Sequence, residues 1–169
     1  MTLCRRVTVC AAVVALGSAV ASGQEGATAT AEMQNLDGQP VGQVQLQDTP
    51  NGLIVRAELT GLPEGAHGFH IHAVGACEPP FESAGGHFNP EERQHGMENA
   101  QGKHAGDLPN LTVPASGEAT VEHFAVGLSL DDLSDEDGSA VVVHANADDY
   151  ATDPSGNAGD RIACGIVSR

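Results

Sequence analysis

Gly68-Phe69-His70-Ile71-His72 alternates apolar and imidazole side chains. In a strand successive side chains point to opposite faces, so Phe69 and Ile71 share one face and His70 and His72 the other. The apolar face asks for a core behind it, which makes the stretch part of a packed sheet. The two imidazoles opposite look like half of a metal site. A His-x-His pair alone does not separate a ligand pair from satisfied core histidines, so the reading depends on its company.

Outward from this stretch the chain reads as short strands cut by turns, with no convincing amphipathic helix. Strands are expected at 29–35, 41–46 and 53–59, punctuated by Asp37-Gly38-Gln39-Pro40, Asp48-Thr49-Pro50-Asn51-Gly52 and Gly61-Leu62-Pro63-Glu64-Gly65. Further strands are expected at 67–72, 118–124, 139–144 and 161–167, a pattern of sandwiches and barrels. The intervals 73–116 and 145–160 are far longer than ordinary connections, which marks them as functional or stapled loops. There is no internal repeat.

The 169 residues are 40% hydrophobic and only 3% aromatic, which suits one domain with a core of Val, Leu, Ile and Ala. A formal net charge of −16 argues against nucleic acid and anionic membrane surfaces, which need basic patches. At the start, Arg5 and Arg6 precede an apolar run over 7–21 that ends in small residues, the pattern of a secretory signal peptide. The competing reading is a membrane anchor, but the run is short of the roughly 20 residues a spanning helix needs. A signal peptide at 1–23, cleaved near 21–23, would leave a single domain at 24–169. That domain would carry five basic against 23 acidic side chains, a net of −18. Val9 before Cys10 does not make a convincing lipobox, so no membrane anchor is expected.

Cleavage removes Cys4 and Cys10 and leaves Cys77 and Cys164. In an exported chain this pair points to one disulfide closing a long loop. Thiolate ligation of a metal is the alternative, though the two are not in CxxC-type spacing.

The first long interval carries His87, then His95, His104 and Asp107 eight, seventeen and twenty residues on, set among Gly and Asn. Three imidazoles and a carboxylate meet the tetrahedral requirement of a closed zinc site, and ligation would order a segment that lacks packing of its own. From the loop alone, a solvated histidine-rich segment is equally open. Beyond it, Val141-Val142-Val143-His144 is an apolar strand ending in an imidazole. His144 is either a strand-end cap or a ligand beside His70 and His72, and an all-nitrogen set of that kind suits copper(II).

Taken together the motifs resemble the copper/zinc superoxide dismutase family from about residue 29 to 167. They are Gly68-Phe69-His70-Ile71-His72, Gly86-His87-Phe88-Asn89-Pro90, His104-Ala105-Gly106-Asp107-Leu108 and Gly156-Asn157-Ala158-Gly159-Asp160-Arg161-Ile162-Ala163-Cys164-Gly165, in the family's order. The resemblance implies an all-β fold, an eight-stranded antiparallel Greek-key β-barrel, flattened and sandwich-like, with two long functional loops. It also implies dismutation of superoxide with one Cu and one Zn per subunit. His70, His72, His87 and His144 fall on the copper ligands, and His87, His95, His104 and Asp107 on the zinc ligands, making His87 the bridge. Asp148 falls on the carboxylate that links a copper-ligand and a zinc-ligand histidine, Arg161 on the substrate-guiding arginine, and Cys77 and Cys164 on the disulfide. His67 matches a structural histidine of the barrel. His123, on an outward strand position, matches nothing, and Asp149 is expected to be only solvated.

Two departures bear on function. His144 and Arg161 are only 17 positions apart with no lysine between them, so steering charges are absent there, and Lys103 and Arg93 are the candidates to replace them. Between Cys77 and His87 the segment Glu78-Pro79-Pro80-Phe81-Glu82 is inserted, a subloop that in bacterial members shapes the contact of a homodimer. Localisation in the periplasm or cell envelope follows from the leader and the resemblance. Rival readings are a non-catalytic copper/zinc-binding or metal-delivery domain and a zinc-stabilised structural module. Relatives of those kinds tend to lack copper ligands or the guiding arginine, and this chain keeps His70, His72, His87, His144 and Arg161 together.

Overall fold

Period-two alternation builds most of the sheet. In β1 (Thr28–Asn35) Ala29, Ala31 and Met33 point inward, and in β3 (Gly52–Thr60) Leu53, Val55, Ala57 and Leu59 do. β2 (Pro40–Thr49) adds Val41, Val44 and Leu46, with a register irregularity opposite Met33 and Gln34. The computed structural model describes residues 26–169, so the expected leader at 1–23 lies outside the described residues.

The remaining strands are β4 (Gly65–His67), β5 (Phe69–His72), β6 (Leu111–Val113), β7 (Glu118–Val126), β8 (Ala140–His144) and β9 (Arg161–Ser168). The named strands all pair antiparallel, in a curled seven-stranded sheet of order β5-β8-β9-β1-β2-β3-β7 and a two-stranded ribbon of β4 and β6. The expected strand at 67–72 is longer and broken at Gly68, where the chain passes from the ribbon into the main sheet. With 65–72 taken as one strand the expected eight are present. The eighth, β6, lies inside the interval read as loop, because three residues are too few to display a period. No helix among the described residues is long and apolar enough to cross a membrane.

β8 is buried along its whole length, which accounts for its unbroken valines. Val141 and Val143 join the main core, while Ala140 and Val142 face a second apolar cluster with Phe81, Ala84 and Cys164. That cluster lies beneath the Cys77 subloop, which is joined to β9 by the Cys77–Cys164 disulfide across a sequence separation of 87. The subloop therefore folds back onto the sheet through Phe81, which is fully buried.

The first long loop is also better anchored than its composition predicts, since Phe88 and Leu108 enter the main core. It runs along the free edge of β5: the Ile71 amide donates to Gly106 O at 2.9 Å, and the Phe88 amide donates to Ile71 O at 2.8 Å. Gly106 is required there, because a Cβ would stand 2.2 Å from Ile71 O. The edge strand is thus covered, and His87 and Asp107 are brought opposite His72 and His70.

Candidate metal centre

Each imidazole on the β5 and β8 side is held by its outer nitrogen. His72 Nδ1 donates to Gly85 O at 3.0 Å and His144 Nδ1 to Gly159 O at 3.1 Å, because a carbonyl can only accept. His70 Nε2 bonds Asp148 Oδ2 at 2.7 Å. With the outer nitrogens protonated, the inner ones are bare: His70 Nδ1, His72 Nε2 and His144 Nε2. His72 Nε2 and His144 Nε2 face each other at 3.4 Å with no proton to share, and His70 Nδ1 and His87 Nε2 are buried without a partner. Orphaned buried lone pairs converging on one point fit a cation and little else. One ligand atom from each of His70, His72, His87 and His144 lies within 4.8 Å of the others.

A second cluster begins on the other nitrogen of His87. Asp107 Oδ1 lies 2.8 Å from His87 Nδ1, 3.1 Å from His95 Nδ1 and 3.3 Å from His104 Nδ1. Asp107 Oδ2 is occupied by the amides of Gly96 and His104, at 3.1 and 2.9 Å, which fixes the carboxylate with Oδ1 inward. One ligand atom from each of His87, His95, His104 and Asp107 likewise lies within 4.8 Å of the others, and every member is buried. Three imidazole nitrogens and one carboxylate oxygen suit zinc, and four imidazole nitrogens suit copper.

Asp148 joins the halves. Its Oδ2 takes His70 and its Oδ1 takes His95 Nε2 at 3.0 Å and the Tyr150 amide at 2.6 Å. Gly156 leaves the room for it, since a Cβ there would stand 1.8 Å from Asp148 Oδ1. Asn110 clamps the Asp148 backbone, accepting from its amide at 2.8 Å and donating to its carbonyl at 2.9 Å, and the Tyr150 hydroxyl accepts from the Asn110 amide at 2.7 Å. Neither Asn110 nor Tyr150 stands out in the sequence.

Burial sets the protonation of the cluster. It pushes His70 down to about 4 against the pull of Asp148, His144 to about 3 together with the charge of neighbouring imidazoles, and His72 well below its ordinary value. Neutral imidazoles at neutral pH are the form that binds metal. Burial would raise the Asp107 and Asp148 carboxyls, but hydrogen bonds from His87 and His95 to the first and from His70 and His95 to the second hold both below the usual carboxylate range. His95 goes the other way: burial lowers it, and the bonds to Asp107 and Asp148 overcome this and raise it to about 9. In the metal-free protein a proton therefore holds the place between His95 and Asp107.

The centre opens to solvent through a cleft of ≈ 730 Å³ lined by His72, His87, His144 and Arg161 among others. The half-buried Arg161 donates from Nη1 to Phe81 O and from Nη2 to Gly85 O, both at 2.6 Å. Gly85 O thus serves both Arg161 and His72.

Several expected roles change. Lys103 does not face the cleft: its ammonium is spent on the carbonyls of His104 and Asp107, both at 3.1 Å. Arg93 lines the cleft but pairs with Glu91 at 2.6 Å. His123 points inward, not outward, on the face of β7 that carries Ala119 and Ala125, with its ring 6.0 Å from that of Phe69. Asp149 is exposed yet not merely solvated, since it accepts from Thr152 N, Thr152 Oγ1, Ala151 N and Asn157 Nδ2 and organises the second loop. His67 is outside both clusters, its two nitrogens on His144 O and Pro63 O at 2.8 and 2.9 Å.

The family model described as copper/zinc superoxide dismutase (SODC) matches residues 41–167. Cu-Zn superoxide dismutase 2 of Aquifex aeolicus is 42% identical over 146 residues, covering 82% of this chain and 85% of that protein. The Cu-Zn superoxide dismutase of Escherichia coli K12 is 39% identical, covering 90% and 95%. Among solved structures, a SOD-like protein from Bacillus subtilis superposes with a TM-score of 0.78 at 44% identity, covering 81% of this chain and 96% of that one. Cu/Zn superoxide dismutase from Brucella abortus does so with 0.71 at 30% identity, covering 83% and 99%.

Proposed function

The chain belongs to the copper/zinc superoxide dismutase family, whose members are oxidoreductases that use copper and zinc, and from that premise we propose which of its residues do the work. His70 Nδ1, His72 Nε2, His87 Nε2 and His144 Nε2 hold copper; His87 Nδ1, His95 Nδ1, His104 Nδ1 and Asp107 Oδ1 hold zinc. The observation that carries this assignment is the pair of nitrogens on His87, one buried without a partner among the all-imidazole set and the other against Asp107.

Bound copper supplies a one-electron redox couple, while zinc, with a filled d shell, supplies only fixed charge. The chain does the rest. Two superoxide anions and two protons give one dioxygen and one hydrogen peroxide, so the site must admit an anion and deliver protons. Arg161 draws the anion into the cleft, where its charge acts locally against the net negative charge of the whole protein. His87 lines the cleft, and its Nε2, buried without another partner in the protein, is the ring atom that would carry a proton to the product whenever it is not a copper ligand. Asp148 keeps the rings of His70 and His95 in the tautomer that leaves their inner nitrogens bare. The activity serves antioxidant defence in the cell envelope, reached by export through the 1–23 leader.

Metal binding to two single-residue variants tests the assignment. His144→Ala should lose copper and keep zinc, whereas His87→Ala should lose both. Full zinc retention in His87→Ala would refute the shared ligand.

A further inference from the structure

The guanidinium of Arg161 is aimed by two carbonyls, and one of them belongs to a residue in an unusual backbone state. Phe81 lies at φ 73°, ψ 13°, in the left-handed region that a bulky L residue rarely adopts. Such a state persists only where the surroundings over-determine it, and it marks functional positions more often than others. The surroundings here are identifiable. The Phe81 ring is fully buried in the second apolar cluster with Ala84, Ala140, Val142 and Cys164. Its amide donates to Glu78 O, and the Ala84 amide donates to Phe81 O at 3.1 Å. Phe81 O accepts Arg161 Nη1 and Gly85 O accepts Nη2, both at 2.6 Å. Returning Phe81 to a right-handed or extended backbone would turn its carbonyl away from the guanidinium. The disulfide does not take this role, because Cys77 lies four residues upstream and supplies neither carbonyl.

We propose that Phe81 is a positioning residue for Arg161: its buried ring holds the left-handed backbone whose carbonyl, with that of Gly85, clamps the guanidinium at the mouth of the cleft. The functional side of this rests on the reading of Arg161 as the anion contact.

The test uses the copper- and zinc-loaded chain with its disulfide intact, and azide as the anion probe, followed by its absorption on the metal site. Phe81→Ala should weaken azide binding by about tenfold and Phe81→Leu by about threefold, as expected when a charged donor is displaced. In an Arg161→Gln background Phe81→Ala should add no more than about twofold, because the ring acts through the guanidinium. The second readout is the pair of Arg161 Nη–H resonances in the copper-free, zinc-loaded protein, assigned by their disappearance in Arg161→Gln. They should be distinct in the wild type and averaged in Phe81→Ala.

Unchanged azide affinity together with unchanged resonances in Phe81→Ala overturns the proposal. So does a loss of azide affinity that is just as large in the Arg161→Gln background. If Phe81→Ala fails to fold, Phe81→Leu enters the same cycle, and a loss that persists undiminished beside Arg161→Gln overturns the proposal there too. If Arg161→Gln binds azide like the wild type, the anion-contact reading fails. The resonances then decide the positioning alone, for it if they average in Phe81→Ala and against it if they stay distinct.

Discussion

Removal of the Asp148 carboxylate is expected to damage the zinc half of the centre more than the copper half, although the carboxylate touches one histidine of each. In Asp148→Ala, His70 loses a bond of 2.7 Å and His95 one of 3.0 Å. The difference lies in what else holds the two rings. His70 sits in β5, paired with Val142 of β8, so its backbone is fixed without Asp148, and the rings of His87 and His144 packed against it confine its own. His95 sits in a loop with no strand. Besides Asp107, its local holds are loop contacts, an amide bond to Asp153 Oδ1 at 2.7 Å and a bond from Asn99 Nδ2 to its carbonyl at 3.2 Å. Loss of one charge-assisted hydrogen bond costs about 1.5–3 kcal/mol. Where that bond helps to orient a ligand otherwise held by loop contacts, the cost falls on metal affinity, about 10- to 100-fold for zinc. Three of the four ligands are untouched in either set, but the copper ligand that is affected is held by the sheet, so less than about tenfold is expected for copper. Competition against a chromogenic chelator at pH 7 measures both affinities. A copper loss larger than the zinc loss, or zinc affinity within twofold of the wild type, would refute this ordering.

Arg161→Gln should keep both metals and lower kcat/KM for superoxide by about tenfold or more, measured by stopped-flow decay. With Lys103 turned into the protein and Arg93 paired to Glu91, added salt should lower wild-type kcat/KM only modestly, and a steep fall would reveal a steering cluster elsewhere. In the metal-free protein the folded-state values of His70 and His144, about 4 and 3, lie below their ordinary value, so stability is withheld as pH falls from about 6.5 through that range. His95, raised to about 9, has the opposite sign: its contribution is complete below about pH 6.5 and is lost as pH rises through 9. The thermal midpoint of the metal-free chain should therefore peak near pH 6.5, and a midpoint still rising from pH 7 to 9 would contradict the His95 assignment. Cys77→Ser with Cys164→Ser should destabilise the chain by about 4 to 5 kcal/mol in the loop-entropy model for an 87-residue separation, read from urea unfolding.

Much of this centre was legible in the sequence because its chemistry sits in side chains with a spacing. The alternation over 68–72 placed two imidazoles on one face, and the His87-to-Asp107 run carried enough ligands for a closed site. What escaped was carried by the backbone or by small, ordinary residues. Gly85 O and Gly159 O decide the tautomers of His72 and His144, yet a carbonyl acceptor leaves no trace in a sequence. Asn110 and Tyr150 lock Asp148 through contacts 38 to 40 residues apart in the chain. Phe88 and Leu108 anchor a loop that reads as coreless, because two apolar residues twenty apart show no period. His123 reads as outward for a different reason: the outer face of β7 ends in exposed Phe124 and Val126, and these apolar side chains on either side of inward-facing Ala125 reverse the apparent alternation around it.

The most direct test of the whole reading is superoxide decay in the presence of the chain loaded with one copper and one zinc, followed beside His144→Ala at the same zinc content. Catalytic consumption by the wild type, with many anions removed per chain, and none above background by His144→Ala is the expected result. A fully loaded wild type that leaves the decay unchanged would mean that the chain binds its metals without turning superoxide over.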